Sequence, residues 1–227
     1  MTGAVLKRAP TAGGHMDRAA VVEQLVDAGL VAVLRGVPTA VLPAVVDALV
    51  DGGVTAIELT AETPGVTDGL AAVADDPRVT VGVGTVRDPD SVGALVDAGA
   101  RYIVSPITDP AVIDAARAAG VATAAGGLTP TEVHVAMRAG ADIIKIFPAS
   151  VATPAMVAAL RATLDPPPIM PTGGLSPTTI GDYLDAGAAC VGVGSSLLAG
   201  TDPTDPEATR IRTAAESHMA AVTAARD

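Results

Sequence analysis

The sequence predicts an α/β fold, a small closed (β/α)8 TIM barrel with an N-terminal helix. One sequence pattern recurs along the 227 residues: an alanine-rich amphipathic run, a glycine, and a short run of β-branched residues. The glycine suits the left-handed residue that follows a helix C-terminus. This pattern occurs six times, and two further segments lack it but fit the same spacing. Together they give eight apolar segments spaced by roughly 20–24 residues, enough for a helix that connects parallel strands. Eight strands alternating with helices indicate a parallel sheet, and eight units in one chain favour a closed barrel.

The predicted elements follow one another from Asp17 onward. The first helix begins near Asp17, and strands are predicted at 31–34, 55–59, 79–83, 102–104, 121–123, around 145, at 168–171 and at 190–193. Residues 1–16 are rich in Gly, Ala and Thr and are predicted to be a disordered leader, which leaves 17–227 as a single barrel domain. The alternative is an open, doubly wound sheet that binds a dinucleotide. It depends on Gly192-Val193-Gly194, but Leu197 stands where the fingerprint needs its third glycine.

Composition excludes several classes of partner and site. A net charge of −11 disfavours nucleic acid and anionic membranes. Cys190 is the only cysteine, so an intrachain disulfide and a thiolate zinc site are excluded, and the three histidines lack metal-ligand spacing. We therefore expect neither a metal nor another cofactor. No apolar run reaches the ~20 residues that span a bilayer, and the first 16 residues lack the apolar core of a signal peptide, so we expect a cytoplasmic protein.

Lys145 is the first candidate for chemistry. The chain has twelve arginines but only two lysines, Lys7 in the leader and Lys145 between isoleucines in an apolar run. Arginine keeps its proton in proteins, whereas a desolvated lysine can become a neutral nucleophile. This pattern favours a Schiff-base lysine. The alternative is a structural lysine whose amine reaches water along apolar surface.

Glu58 is the second candidate, because it lies in the middle of a predicted strand between Ile57 and Leu59. Strands disfavour glutamate. Strand alternation places Glu58 on the barrel interior if Ile57 and Leu59 pack outward, and it places Lys145 there by the same argument. The pair is then either a nucleophile with its general acid/base or a buried structural ion pair.

The C-terminal ends of the strands supply the remaining candidates, because barrel enzymes bind their ligands there. Arg35 ends the first strand and could bind a carboxylate, and Thr85 could add a hydroxyl group after the third. The last two strands end in Thr172-Gly173-Gly174 and Gly194-Ser195. Glycine-rich loops, with a short helix predicted to start near Ser195, would bind phosphate. The alternatives are a surface arginine and two tight turns with serine helix caps.

Taken together, these residues resemble the KDPG/KHG aldolase family, the class I aldolases of 2-keto-3-deoxy-6-phosphogluconate and 4-hydroxy-2-oxoglutarate, and also the related 6-phosphogalactonate enzymes. The resemblance covers about residues 17–200. The segments that carry it, in chain order, are Ala32-Val33-Leu34-Arg35, Ile57-Glu58-Leu59-Thr60, Gly82-Val83-Gly84-Thr85-Val86, Ile103-Val104-Ser105-Pro106, Ile144-Lys145-Ile146-Phe147-Pro148, Pro171-Thr172-Gly173-Gly174 and Val193-Gly194-Ser195.

The resemblance implies a lyase of known mechanism in a barrel that is usually a homotrimer, with no metal. It implies that Lys145 forms the Schiff base and that Glu58 is the acid/base. The binding residues follow from it as well: Arg35, Thr85 and Thr172 for the pyruvyl carboxylate end, and Gly173, Gly174, Gly194 and Ser195 for the phosphate. The implied reaction is reversible cleavage of a 2-keto-3-deoxy-6-phospho sugar acid to pyruvate and glyceraldehyde 3-phosphate, or of 4-hydroxy-2-oxoglutarate to pyruvate and glyoxylate.

One position departs from the family pattern. Some gluconate-type members carry an arginine four residues after the glutamate, whereas this chain has Glu62. Because Thr63-Pro64 favours the end of the strand, we expect Glu62 to lie exposed at the barrel mouth. Two other functions remain open on the same fold, a phosphosugar isomerase or epimerase and a non-catalytic phosphosugar-binding protein.

Overall fold

Eight parallel strands alternate with helices in a computed structural model that describes residues 17–227. The predicted leader, residues 1–16, lies outside the described residues. The strands are β1 (Leu30–Leu34), β2 (Ala56–Thr60), β3 (Thr80–Gly84), β4 (Tyr102–Val104), β5 (Ala122–Gly127), β6 (Ile143–Ile146), β7 (Ile169–Pro171) and β8 (Val191–Val193). The helices are α1 (Arg18–Ala28), α2 (Leu42–Asp51), α3 (Val66–Val73), α4 (Val92–Asp97), α5 (Pro110–Ala118), α6 (Pro130–Ala139), α7 (Pro154–Leu164), α8 (Ile180–Asp185) and α9 (Ala208–Ala224), with a short 3-10 helix at Pro89–Ser91.

The strands form a closed barrel. Each strand from β1 to β6 pairs with the next one along the chain, and β1 also pairs with β8. The seam between β7 and β8 is closed by a parallel bridge between Thr172 and Gly192 and by a 2.9 Å hydrogen bond from the Ala189 N–H to the Ile169 carbonyl. The predicted (β/α)8 barrel is thus confirmed, and the open dinucleotide-binding sheet is wrong.

Strand alternation separates two apolar layers. Ile57, Leu59, Ile144 and Ile146 belong to the larger cluster between the strands and the helices, as predicted. A smaller cluster fills the barrel interior and contains Val31, Ala56, Tyr102, Val104, Ala122, Ala124, Ile143, Met170 and Cys190. Residues next to the outward-facing isoleucines along a strand therefore face the barrel axis, because side chains alternate between the two faces.

Helix α1 covers the N-terminal end of the barrel. Its Val21 and Leu25 belong to the interior cluster. The side chain of Asp17 caps the helix by accepting from the Ala19 N–H, and Gly29 ends it with φ at +71°. Arg18 donates to both carboxylate oxygens of Asp142, at 2.6 and 2.8 Å, which fixes α1 to the start of β6. Among residues 17–227, the barrel is therefore covered at its N-terminal end and open at its C-terminal end, where the strand-end candidates lie.

The predicted elements differ from the structure mainly at their ends. Strand bounds agree within one residue except at β5, which extends to Gly127, beyond the predicted end at 123. The short helix predicted near Ser195 is wrong, because residues 195–200 form successive turns. Ala199 and Gly200 both have positive φ, +52° and +70°, and this backbone conformation cannot continue a right-handed helix.

Candidate active site

Lys145 and Glu58 meet inside the C-terminal half of the barrel. Lys145 Nζ lies 3.6 Å from Glu58 Oε1, and their side chains are only 5% and 1% exposed. Within the described residues, neither carboxylate oxygen of Glu58 accepts a hydrogen bond. Buried polar atoms are nearly always satisfied, so this carboxylate is an exception that suits a ligand-binding group.

Two glycines on β3 leave space for the side chains of Glu58 and Tyr102. A Cβ atom on Gly84 would lie 1.6 Å from Glu58 Oε1, and one on Gly82 would lie 2.5 Å from the ring of Tyr102. The Tyr102 hydroxyl donates to the Ile57 carbonyl at 2.7 Å. Burial, and then the charge of Glu58, raise the pKa of Tyr102 well above its usual value. Tyr102 therefore stays a neutral, fixed wall of the interior.

A cluster of charged side chains lies at the barrel mouth. Glu62 accepts from Arg35 Nη1 at 2.5 Å through one oxygen and from Arg87 Nη2 at 3.2 Å through the other. Its side chain is 43% exposed, as predicted for a residue at the mouth. Two guanidinium groups around one carboxylate leave a net positive charge, which favours an anionic ligand.

Thr85 belongs to the same cluster and has a strained backbone. Its hydroxyl accepts from Arg35 Nη2 at 3.4 Å. Its φ angle is +60°, an unusual value for a β-branched residue. Such strain persists only where the surroundings require it, and it is common in binding and active sites.

One cavity of about 420 Å³ connects the buried pair with the charged cluster. Its lining contains Val33, Arg35, Glu58, Glu62, Thr85, Arg87, Pro106, Lys145, Phe147, Thr172, Gly173 and Gly194. The ring centre of Phe147 lies 5.6 Å from Lys145 Nζ, within the range of a cation–π contact. A neighbouring cavity shares Arg35 and Gly194 with the first and is also lined by Ser195.

The two glycine loops form one side of this region. Gly173 and Gly174 have φ angles of +94° and +81°. Among the described residues, the N–H groups of Gly174 and Ser195 donate to no protein acceptor. Because no helix begins at Ser195, any anion held here would depend on these loop amides rather than on a helix dipole.

The structure thus brings most predicted site residues to one cavity and adds two that the sequence reasoning missed. Seven of the predicted residues line the first cavity, and Ser195 lines the second. Arg87 and Phe147 were missed as site residues. Arg87 lies two residues after the candidate Thr85, and Phe147 lies two residues after the candidate Lys145. Including the two residues that follow each candidate would have found both.

Comparison with known proteins identifies the family. A family model described as KDPG and KHG aldolase matches residues 21–213. The chain belongs to this family. It is accordingly an aldolase, a carbon–carbon lyase, and no observation favours the isomerase, epimerase or non-catalytic alternatives.

Curated relatives of this aldolase carry names for two substrate epimers. It is 40% identical over 174 residues to a probable 2-dehydro-3-deoxy-6-phosphogalactonate aldolase of Rhizobium meliloti, covering 74% of this chain and 81% of the relative. It is 36% identical over 157 residues to the KHG/KDPG aldolase of Escherichia coli, covering 66% and 72%. A solved structure described as native KDPGal superposes with a TM-score of 0.81 at 33% identity, covering 87% of this chain and 95% of that one.

The described residues of the aldolase contain neither a membrane-spanning helix nor a cluster of metal ligands. No helix among them is both long and apolar enough to cross a membrane. No group of three or more His, Cys, Asp or Glu side chains in residues 17–227 is arranged to hold a metal ion.

Proposed function

We propose that this aldolase cleaves a 2-keto-3-deoxy-6-phospho sugar acid, through a Schiff base on Lys145, to pyruvate and glyceraldehyde 3-phosphate. The observation that carries the proposal is the buried Lys145–Glu58 pair, 3.6 Å apart, on the cavity wall. A buried ion pair adds little stability of its own, so a catalytic role explains it better than a structural one.

The proposed reaction begins at the Lys145 amine. Glu58 takes the proton that the ammonium must lose, and the neutral amine then attacks the C2 ketone. Glu58 returns that proton to the hydroxyl group of the carbinolamine, which leaves as water and gives an iminium ion, so Glu58 is a carboxylate again. Glu58, directly or through a water molecule, takes the C4 hydroxyl proton as the C3–C4 bond breaks, and the bonding electrons pass into the enamine. Glyceraldehyde 3-phosphate leaves, C3 of the enamine is protonated, and water releases pyruvate and free Lys145.

The two anionic ends of the substrate require different anchors. Arg35, Thr85 and Thr172 hold the carboxylate end in this proposal, and Arg87 joins them as a second cation. Arg87 is included because it lines the same cavity and binds the same Glu62 carboxylate as Arg35. Gly173, Gly174, Gly194 and Ser195 hold the phosphate through the backbone.

The substrate class in this proposal includes both epimers. Relatives named for the galactonate and for the gluconate compound are similarly close, at 40% and 36% identity. The unphosphorylated 4-hydroxy-2-oxoglutarate is the third candidate substrate. Values of kcat/KM for the three compounds, measured by pyruvate release, rank them directly.

Borohydride trapping tests the proposed nucleophile. Pyruvate with borohydride should add a reduced pyruvyl group to Lys145, found by peptide mass analysis, and should inactivate the enzyme in proportion. Lys145→Arg should abolish both trapping and turnover, because a guanidinium keeps its proton and cannot form the imine. Label on another group, or an active enzyme that is never labelled, would refute the Schiff-base mechanism on Lys145.

We propose further that the enzyme assembles as a homotrimer in the cytoplasm, as the resemblance implies. Ile107, Val135 and Val151 are large apolar side chains exposed on the described surface, and such side chains often mark contacts between subunits. A mass of about three chains by light scattering on a size-exclusion column supports the trimer, and a mass of one chain excludes it.

A further inference from the structure

A buried histidine lies outside the cavity, and the proposed reaction does not use it. His218 on α9 is 3% exposed. Its Nε2 lies 3.1 Å from the hydroxyl of Ser196, and its Nδ1 lies 2.7 Å from the Ala214 carbonyl. The Ser196 hydroxyl also lies 3.2 Å from the Leu175 carbonyl.

This hydroxyl connects three parts of the chain. Ser196 follows Gly194-Ser195, and Leu175 follows Gly173-Gly174, so the two loops proposed to hold phosphate meet at one side chain. The histidine joins both to α9, which packs against α2 and α8. Because the imidazole ring belongs to a 17-residue helix, it can fix the separation of the two loops.

Counting protons determines the direction of each hydrogen bond. The Ala214 carbonyl can only accept, so Nδ1 carries a proton and donates to it. Burial lowers the pKa of His218 below its usual value, against a smaller opposing effect of the Ala214 hydrogen bond, so the ring is neutral at pH 7. In a neutral ring, Nε2 is then an acceptor. The Leu175 carbonyl can also only accept, so the single Ser196 hydroxyl proton is shared between Nε2 and that carbonyl in a three-centre hydrogen bond.

We propose that His218 is a positioning residue for the phosphate end of the substrate, acting through Ser196 to hold the 194–196 turn against the 173–175 loop. The inference rests on the proposed function, since it presumes that these loops bind phosphate. A residue needed only for packing would more simply be apolar, because burying an imidazole has a desolvation cost that its hydrogen bonds must offset. Within the part of the chain that the structure describes, the N–H groups of Gly174 and Ser195 have no protein acceptor, so their alignment depends on how the loops are held.

The test compares His218→Leu, His218→Gln and Ser196→Ala with the unmodified enzyme. Inorganic phosphate is the probe, measured as a competitive inhibitor, beside KM and kcat for a phosphorylated substrate and for 4-hydroxy-2-oxoglutarate. Losing the hydrogen bond should raise Ki for phosphate and KM for the phosphorylated substrate by about 3–10-fold in His218→Leu and Ser196→Ala. KM and kcat for the unphosphorylated substrate should stay within about twofold of the unmodified values.

Two comparisons distinguish positioning from simple destabilisation. His218→Gln retains an amide oxygen that can accept from Ser196, so it should recover most of the phosphate affinity. The double variant His218→Leu, Ser196→Ala should be no worse than Ser196→Ala alone, because that single variant already removes the bond between His218 and Ser196. His134→Leu changes the exposed histidine on α6 and should alter none of these constants.

The outcomes separate this inference from the function on which it rests. If phosphate does not inhibit the unmodified enzyme, and phosphorylated and unphosphorylated substrates have equal KM, the phosphate site itself is wrong and the inference falls with it. If phosphate inhibits all variants equally, the inference alone is wrong. Equal losses with both substrates would also refute it, by showing a general loss of folded enzyme. Should His218→Leu fail to fold, Ser196→Ala and His218→Gln carry the same test.

Discussion

Two glutamates four residues apart have opposite environments. The side chain of Glu58 is 1% exposed and faces Lys145, whereas that of Glu62 is exposed and binds Arg35 and Arg87. The same acid group is therefore suited to proton transfer at one position and to organising cations at the other. Sequence alone predicted the difference in exposure, because Thr63-Pro64 indicated the end of the strand.

Substituting each glutamate separates these roles. Glu58→Gln keeps size but removes proton transfer, so kcat should fall about 10²–10⁴-fold. Glu62→Gln should leave kcat within a few-fold, and KM should fall because a negative charge near an anionic substrate is lost. That gain should shrink at high salt, which screens exposed charges. Steady-state kinetics at two ionic strengths measure both effects. Equal losses of kcat would assign Glu62 to the chemistry instead.

Gly84 tests the packing around Glu58. Its φ angle is not positive, so an alanine there brings no backbone strain, but the new Cβ atom would lie 1.6 Å from Glu58 Oε1. The carboxylate must move, and kcat should fall about 10²-fold or more as the acid/base leaves its position. Gly93→Ala is the matched control, since no described residue beyond its own helix turn lies within 4 Å of a Cβ at that helix position. Unchanged kcat in Gly84→Ala would show that Glu58 acts from another position.

At the scale of elements, function depends on the loops that follow β7 and β8. Helices and strands follow the local pattern closely, because hydrophobic periodicity and helix caps act over a few residues. The turn after Gly194 does not follow the local pattern, because two successive residues with positive φ prevent the predicted helix. A single sequence indicates positive φ for a glycine, but Ala199 carries no such signal.

Gly174→Ala tests the phosphate assignment at this scale. Gly174 has φ at +81°, and a Cβ there would lie 2.7 Å from Ser150 Cβ, so the loop must shift. Misalignment of one amide–phosphate hydrogen bond should raise KM for a phosphorylated substrate about 10-fold or more. KM for 4-hydroxy-2-oxoglutarate should change far less. Gly181→Ala, on α8 with open space around it, should change neither. Equal effects on both substrates would remove the phosphate from these loops.

At the scale of the whole molecule, the two ends of the barrel have separate tasks. The N-terminal end is closed by α1, with Leu25 in the interior cluster, and the C-terminal end carries the cavity. Barrel enzymes generally divide stability and catalysis between the two ends in this way.

Leu25→Ala should therefore lower stability but not activity. Removing a fully buried leucine side chain should reduce the free energy of unfolding by about 2–5 kcal/mol, measured by urea denaturation. Below the unfolding transition, kcat should stay within about twofold. Glu23→Ala, at an exposed position of the same helix, is the control and should change neither quantity. A large loss of kcat in folded Leu25→Ala would mean that the two ends are coupled.

The sequence by itself determined the barrel, the positions of its strands and the inward direction of Glu58 and Lys145. These follow from periods of 2 and 3.6 residues, which are local properties of strands and helices. Only the tertiary structure decided that Arg87 and Arg35 bind Glu62 and that His218 binds Ser196. These contacts join loops and helices of different units, 22–27 residues apart in sequence. No local pattern encodes them, because their distances depend on how the closed barrel brings its strand ends together.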